Sequence, residues 1–242
     1  MPNNLDTSKL ILIFVLMNSS SEERSSSEEN HLKAIYALSD RGRSDVSTTA
    51  IASHMDLKAS SVTSMLKRLN EKGLVEHRPY RGAGLTSQGL RAATSIVRRH
   101  RLWETFLVTH LNYRWDEVHE LAEQLEHVGT EELHDRLDKF LDHPRFDPHG
   151  DPIPDKEGRV EDMDGALPLT EVNKDQLVYL VGVRDSSPTF LKLLDGLGLK
   201  LGTQLTINRR FEYDNSVEVS SRFRAGLLLN EQVSGNLIVK IL

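Results

Sequence analysis

The sequence predicts a mainly α-helical protein with small β parts. It should hold a winged helix-turn-helix (residues 27–90), a helical domain (91–142), a Pro-rich acidic linker (143–168) and an SH3-like β-barrel (169–242). Three observations carry this. Two short amphipathic stretches are joined by a tight turn and followed by an Arg/Gly-rich hairpin. Apolar residues then recur at helical spacing from Leu90 to Leu141. Beyond residue 169 the pattern changes to short β-branched runs separated by glycine.

Residues 1–26 are expected to form a disordered or mis-started tail, with Met17 as an alternative start. Leu10 to Met17 is apolar but too short to span a bilayer and is preceded only by Lys9, so no membrane association is expected. The first helix should run from Glu28 to Arg41, with His31, Leu32, Ile35, Tyr36 and Leu38 on its apolar face and Gly42 ending it. Val46 to Leu57 reads as a short helix capped by Ser47, and Lys58 to Gly73 as the recognition helix of a helix-turn-helix.

The recognition helix buries Val62, Met65, Leu66 and Leu69 and turns Ser60, Ser61, Thr63, Ser64, Lys67 and Arg68 outward. Small hydroxyls allow close approach to base edges and phosphates. An exposed Ser/Thr-rich helix start is common by itself, but here Leu74 to Gly89 follows as a wing whose Arg78 and Arg81 can reach backbone phosphates. Double-stranded DNA is therefore the expected partner.

Charge supports that division of labour. Between Lys58 and Arg101 ten Lys or Arg face two Glu, a balance of +8, whereas between Asp116 and Asp164 seventeen acids face five bases, a balance of −12. One segment suits a polyanion and the next suits cations. The absence of cysteine removes disulfides, thiolate metal sites and Cys nucleophiles, and leaves any metal to His, Asp and Glu. No nucleophile motif, phosphate loop or HExxH string is present, so no enzymatic activity is expected. The composition fits a reducing cytoplasm.

A long helix from Ser87 to His110 places His100 and Glu104 one turn apart on one side. The stretch 115–128 reads as an amphipathic helix on which His119, Glu123, Glu126 and His127 gather beside the apolar stripe. Such a group is either a solvated acidic face or a cation site. Two His/Glu pairs on consecutive helices favour a shared divalent ion. Glu131 to Leu141 should close the helical domain, and strands are expected at 176–183, 203–207, 216–219 and 236–241, with a helix at 190–197.

His100-x-x-x-Glu104 followed by Val118-His119-x-x-x-Glu123-x-x-Glu126-His127, behind a winged helix, resembles the diphtheria-toxin-repressor family of metal-dependent transcriptional regulators, which includes manganese regulators. The resemblance covers Ser27 to Leu242. It implies a helical metal-binding and dimerisation domain with a primary site of Asn30, Glu123, Glu126 and His127 and an ancillary site of His100, Glu104 and His119, with Asp185 as a ligand from the third domain. The all-N/O set favours Mn(II), with Fe(II) as the alternative. Asn30 stands where manganese members carry Asp. Lys33 stands where the binuclear members carry Glu, which argues against two ions at the primary site. The function so implied is a homodimeric repressor of metal-uptake genes on a pseudo-palindromic operator. The competing reading is a winged-helix regulator triggered by an organic ligand or a protein partner.

Overall fold

The computed structural model describes residues 24–78 and 82–242. The expectations for residues 1–23, Met17 among them, and for Arg81 lie outside the described residues; Ser25 and Ser26, expected in the disordered tail, instead cap and begin the first helix. The chain forms two compact units, one comprising residues up to 100 together with 124–142 and 154–159, the other 101–123, 143–153 and 160–242.

The first unit opens with α1, Ser26–Leu38. Its start is a capping box: Ser25 Oγ accepts the Glu28 N–H at 3.3 Å and Glu28 Oε2 accepts the Ser25 N–H at 3.2 Å. Helix α2 spans Thr48–His54 behind the Ser47 cap, and α3 spans Ala59–Glu71. Leu32, Ile35, Ile51, Val62, Leu66, Leu69 and Ile96 share one fully buried core, which is why the apolar periodicity of these short helices was so clear. Glu28 is buried at the edge of this core and binds Arg68 at 2.8 Å and Lys72 at 2.7 Å, both on or just after α3. Burial alone would raise this carboxyl, but the Lys72 hydrogen bond and the two cations hold it below the usual glutamate range.

The wing is an antiparallel pair, β1 (Val75–Arg78) with β2 (Gly82–Leu85), Val75 opposite Leu85. Gly82 sits at φ +106°, and a Cβ there would lie 2.2 Å from the Val46 carbonyl, where the wing bridges to the segment before α2. Helix α4 runs Ser87–Leu111, as the periodicity predicts, and α6 runs Glu131–Phe140 behind the Thr130 cap.

The helix expected over 115–128 is shorter. Only α5, His119–Leu125, is helical. Before it, Arg114 to Glu117 form a turn held by Arg114 to Asp116 at 2.9 Å. After it, the chain turns through Val128 into Gly129 at φ +94°. Apolar side chains in these turns continue the helical rhythm although the backbone does not.

The second unit carries a six-stranded antiparallel sheet in the order β3-β8-β4-β5-β6-β7, with β3 at Ala166–Pro168, β4 at Leu177–Val183, β5 at Gln204–Arg210, β6 at Val217–Ser220, β7 at Leu227–Leu229 and β8 at Leu237–Ile241. The expected barrel is corrected by this order: its end strands β3 and β7 do not pair, so the sheet is open. Both are three residues long and β3 ends in Pro168, which offers no N–H for further pairing. Helix α7 (Pro188–Leu197) and the short α8 (Glu231–Gly235) complete this unit around Leu180, Leu194, Leu205, Ile207, Val219 and Val239.

Part of the stretch read as a linker is packed. Asp147, His149 and Ile153 are buried, and at Gly150, φ +88°, there is no room for a side chain, since a Cβ would lie 2.2 Å from the Val181 carbonyl oxygen. Proline and acidic content suggested solvation; here the prolines instead stiffen a loop that is folded onto its own unit.

Candidate metal centre

In the first unit, α1 presents Glu29, Asn30 and Lys33 toward Glu126 and His127, which directly follow α5. His127 Nδ1 donates to Glu29 Oε2 at 2.6 Å, and Arg99 holds the other Glu29 oxygen at 2.8 Å. That bond fixes the ring and leaves Nε2 facing Asn30 Oδ1 at 2.8 Å and Glu126 Oε1 at 3.5 Å. Three acceptor-type atoms thus face one another, an arrangement that needs a proton on Nε2 or a cation among them. Neutral imidazole, carboxylate and amide oxygen are hard donors that fit a divalent ion such as Mn(II) or Fe(II).

Glu126 is completely buried. Lys33 Nζ donates to both of its oxygens, at 2.7 and 2.9 Å, and His100 Nδ1 lies 2.5 Å from Oε2. Burial would raise the Glu126 carboxyl; the His100 hydrogen bond and the Lys33 charge outweigh it and hold the group below its ordinary value. Glu29 behaves likewise: His127 and Arg99 overcome its burial and lower it.

His100 stands one turn before Glu104 on α4. Within the second unit, Glu104 Oε1 lies 3.3 Å from His119 Nδ1, and His119 Nε2 lies 3.6 Å from Glu123 Oε1. His119 and Glu123 are about half exposed. Glu123, expected beside Glu126 and His127, is thus found pairing with His119, its i−4 neighbour. Asp185 accepts the Ser187 N–H at 2.8 Å at the head of α7, and among the described residues no cluster of three candidate ligands includes it.

A second group was missed by sequence reading. Glu104, Asp147 and His149 have ligand atoms within 4.8 Å of one another, and all three are buried. His149 Nε2 donates to the Trp115 carbonyl at 2.8 Å, which turns Nδ1 toward Glu104 Oε2 at 3.6 Å and Asp147 Oδ1 at 4.0 Å. Burial lowers the imidazole, but the Glu104 hydrogen bond and charge prevail and raise it to about 9. Asp147 is pushed up by burial and by the charges of Glu104 and Asp151. The string Asp147-Pro-His149-Gly150 was the available signal, but its proline and glycine spoke for a loop and nothing in its spacing revealed burial.

Of the residues expected to meet DNA, Ser60, Ser61, Ser64, Lys67 and Arg68 are exposed on α3 and Thr63 is half-buried. Thr63 and Ser64 hydroxyls donate to the Ala59 and Ser60 carbonyls at 2.8 and 3.0 Å. Arg68 also serves Glu28, and Arg78 on the wing pairs with Glu76 at 2.8 Å.

Comparison with known proteins matches three family models end to end: "Iron dependent repressor, N-terminal DNA binding domain" over residues 24–83, "Iron dependent repressor, metal binding and dimerisation domain" over 86–155 and "FeoA domain" over 167–241. The chain is similar to the iron-dependent repressor IdeR of Mycobacterium leprae, 32% identical over 160 residues that span 66% of this chain and 67% of that protein. It also matches a probable metal transport system membrane protein of Chlamydia trachomatis, 45% identical over 86 residues, 36% of this chain but only 19% of that one. A solved structure of a manganese-dependent transcriptional repressor in complex with manganese superposes with a TM-score of 0.79 at 34% identity, covering 89% of this chain and all of that one. With helix-turn-helix, wing, His/Glu pairs and C-terminal sheet all in the matching order, the chain belongs to the diphtheria-toxin-repressor family of metal-dependent, DNA-binding transcriptional repressors.

Proposed function

We propose that this chain is a homodimeric repressor of metal-uptake genes that binds a pseudo-palindromic operator when loaded with Mn(II), Fe(II) being the alternative ion. The observation that carries the reading is the convergence of Asn30 Oδ1, Glu126 Oε1 and His127 Nε2, with Glu29 fixing the imidazole from behind. Those residues would hold the primary ion, with Glu123 close by in sequence; His100, Glu104 and His119 are proposed for an ancillary one. Asp185 is engaged in its own turn and is the weakest member of the set. Manganese is favoured by the N/O donors and by the likeness to the manganese-dependent structure.

A bound ion would supply the positive charge that draws Asn30 Oδ1, Glu126 Oε1 and His127 Nε2 together. Everything else is done by the chain. Asn30 lies on α1 while Glu126 and His127 lie beyond α5, so holding them together fixes α1. Helix α1 in turn grips α3 through Glu28, Arg68 and Lys72. Orientation of α3 is what a two-fold operator reads, through Ser60, Ser61, Thr63, Ser64, Lys67 and Arg68, with Arg78 and Arg81 on phosphates. A state preferred ~100-fold by the ion shifts the balance by about 2.7 kcal/mol, enough to turn a minor conformer into the major one.

The test is operator binding in chelator and with added Mn(II), Fe(II) or Zn(II). Tightening by Mn(II) or Fe(II) is expected; equal affinity in every condition overturns the reading. Lys67→Ala should weaken binding on all sequences and lower the salt slope by about one.

A further inference from the structure

We propose that Lys33 is a tethered competitor cation that sets the metal threshold of the primary centre. The proposal rests on the metal reading above and concerns a residue that reading does not use as a ligand. Lys33 lies one turn beyond Glu29 on α1, so its stem reaches the same buried carboxylate that the ion would need. Its ammonium donates to both oxygens of Glu126, at 2.7 and 2.9 Å, while His127 Nε2 stands 3.5 Å from one of them, Oε1. The Glu126 side chain is 0% exposed and that of Lys33 19%, so this ion pair is screened far less than a surface pair.

Two consequences follow. An ion taking Glu126 Oε1 must share that atom with the ammonium or displace it, and either way works against a positive charge that the chain itself has placed there. At separations of a few ångströms the repulsion between a unit and a double charge is large even with water-like screening, worth roughly tenfold or more in affinity. Second, without metal, Lys33 already ties α1 to Glu126, so part of the joint exists before the ion arrives. The device raises the metal concentration at which the centre fills and keeps the buried carboxylate compensated in the meantime.

Mn(II) binding by the full chain would be measured by calorimetry for the wild type, Lys33→Met, Lys33→Gln and Lys33→Arg, with melting of each metal-free protein recorded alongside. Lys33→Met and Lys33→Gln should bind Mn(II) roughly tenfold or more tightly, with unchanged stoichiometry and a lower metal-free melting temperature. Lys33→Arg, which keeps the charge, should stay within about threefold of wild type. Wild-type binding that is unaltered or weakened in both neutral variants overturns the proposal alone. Failure of wild type and variants alike to bind any Mn(II) overturns the metal reading and this proposal with it. Two neutral variants guard against one that fails to fold, which circular dichroism would reveal.

Discussion

The centre around Glu126 and the cluster around His149 are both buried meetings of carboxylate and imidazole, yet they balance charge in opposite ways. Around Glu126 the acids are outnumbered: Lys33, His100 and Arg99 surround Glu126 and Glu29, and both carboxyls sit below their usual range. Around His149 the acids are in excess: Glu104 and Asp147 share one imidazole, which is raised to about 9, and Asp147 is driven up. The difference teaches what each can do. A carboxylate that the chain has already neutralised can exchange one cation for another, whereas two acids clasping an imidazolium form a closed structural knot.

The sharpest way to break that contrast is Glu126→Gln. It should reduce Mn(II) affinity by more than about 100-fold and abolish metal-dependent operator binding, because the amide loses the charge that draws the ion; loss of its charged hydrogen bonds should also cost the metal-free protein about 2–3 kcal/mol. Retained Mn(II) affinity by calorimetry would erase the distinction. In the other cluster, His149→Ala should cost about 3 kcal/mol in denaturant unfolding, since it leaves two buried acids without their cation. Loss of less than about 1 kcal/mol would mean that Arg101, 3.5 Å from Asp147, already suffices.

A third buried imidazole sharpens the comparison because no carboxylate holds it charged. His134 on α6 is 1% exposed, and burial together with the Arg99 charge lowers it to about 4. The unfolded chain therefore takes up this proton first as pH falls from the ordinary 6.5 toward 4, and stability should decline by about 3 kcal/mol across that window while being unaffected above it. His134→Leu should flatten this part of a stability-versus-pH profile; an unchanged slope would assign it to other groups. The smallest effect is expected for Asp147→Asn, within about 1 kcal/mol. The amide oxygen can still accept the His149 and Asp151 N–H groups, now at 2.8 and 3.0 Å, and repulsion with Glu104 is relieved.

Helices α1, α2 and α3 were legible because each turns one apolar face to a common core; α1 and α2 also start at side-chain caps, Ser25 and Ser47, whereas α3 starts at Lys58 without one. Helical spacing places His100 beside Glu104 and His119 beside Glu123, whereas Glu126 and His127 follow the last residue of α5 and are set by the turn after it. The helix over 115–128 was overdrawn, since periodicity of side chains does not report where backbone bonds stop. Strands β3 and β7 are too short to leave a pattern of alternation. Glu29 was visible only as a helix residue and Lys33 only as a departure from the binuclear members' Glu, because their partners His127 and Glu126 lie more than ninety positions away. Asp147 and His149 were hidden for the same reason, inside a stretch whose composition spoke for water.

Within six positions of α1, Glu28 holds the residues at and beyond the end of α3, Glu29 and Asn30 hold His127, and Lys33 holds Glu126. One helix is therefore held at neighbouring points by α3 and by Glu126 and His127. Both sets of contacts lie on one continuous helical segment, so a displacement of either would act on the same few residues of α1. In the proposed mechanism, signal and response would be two grips on a single lever.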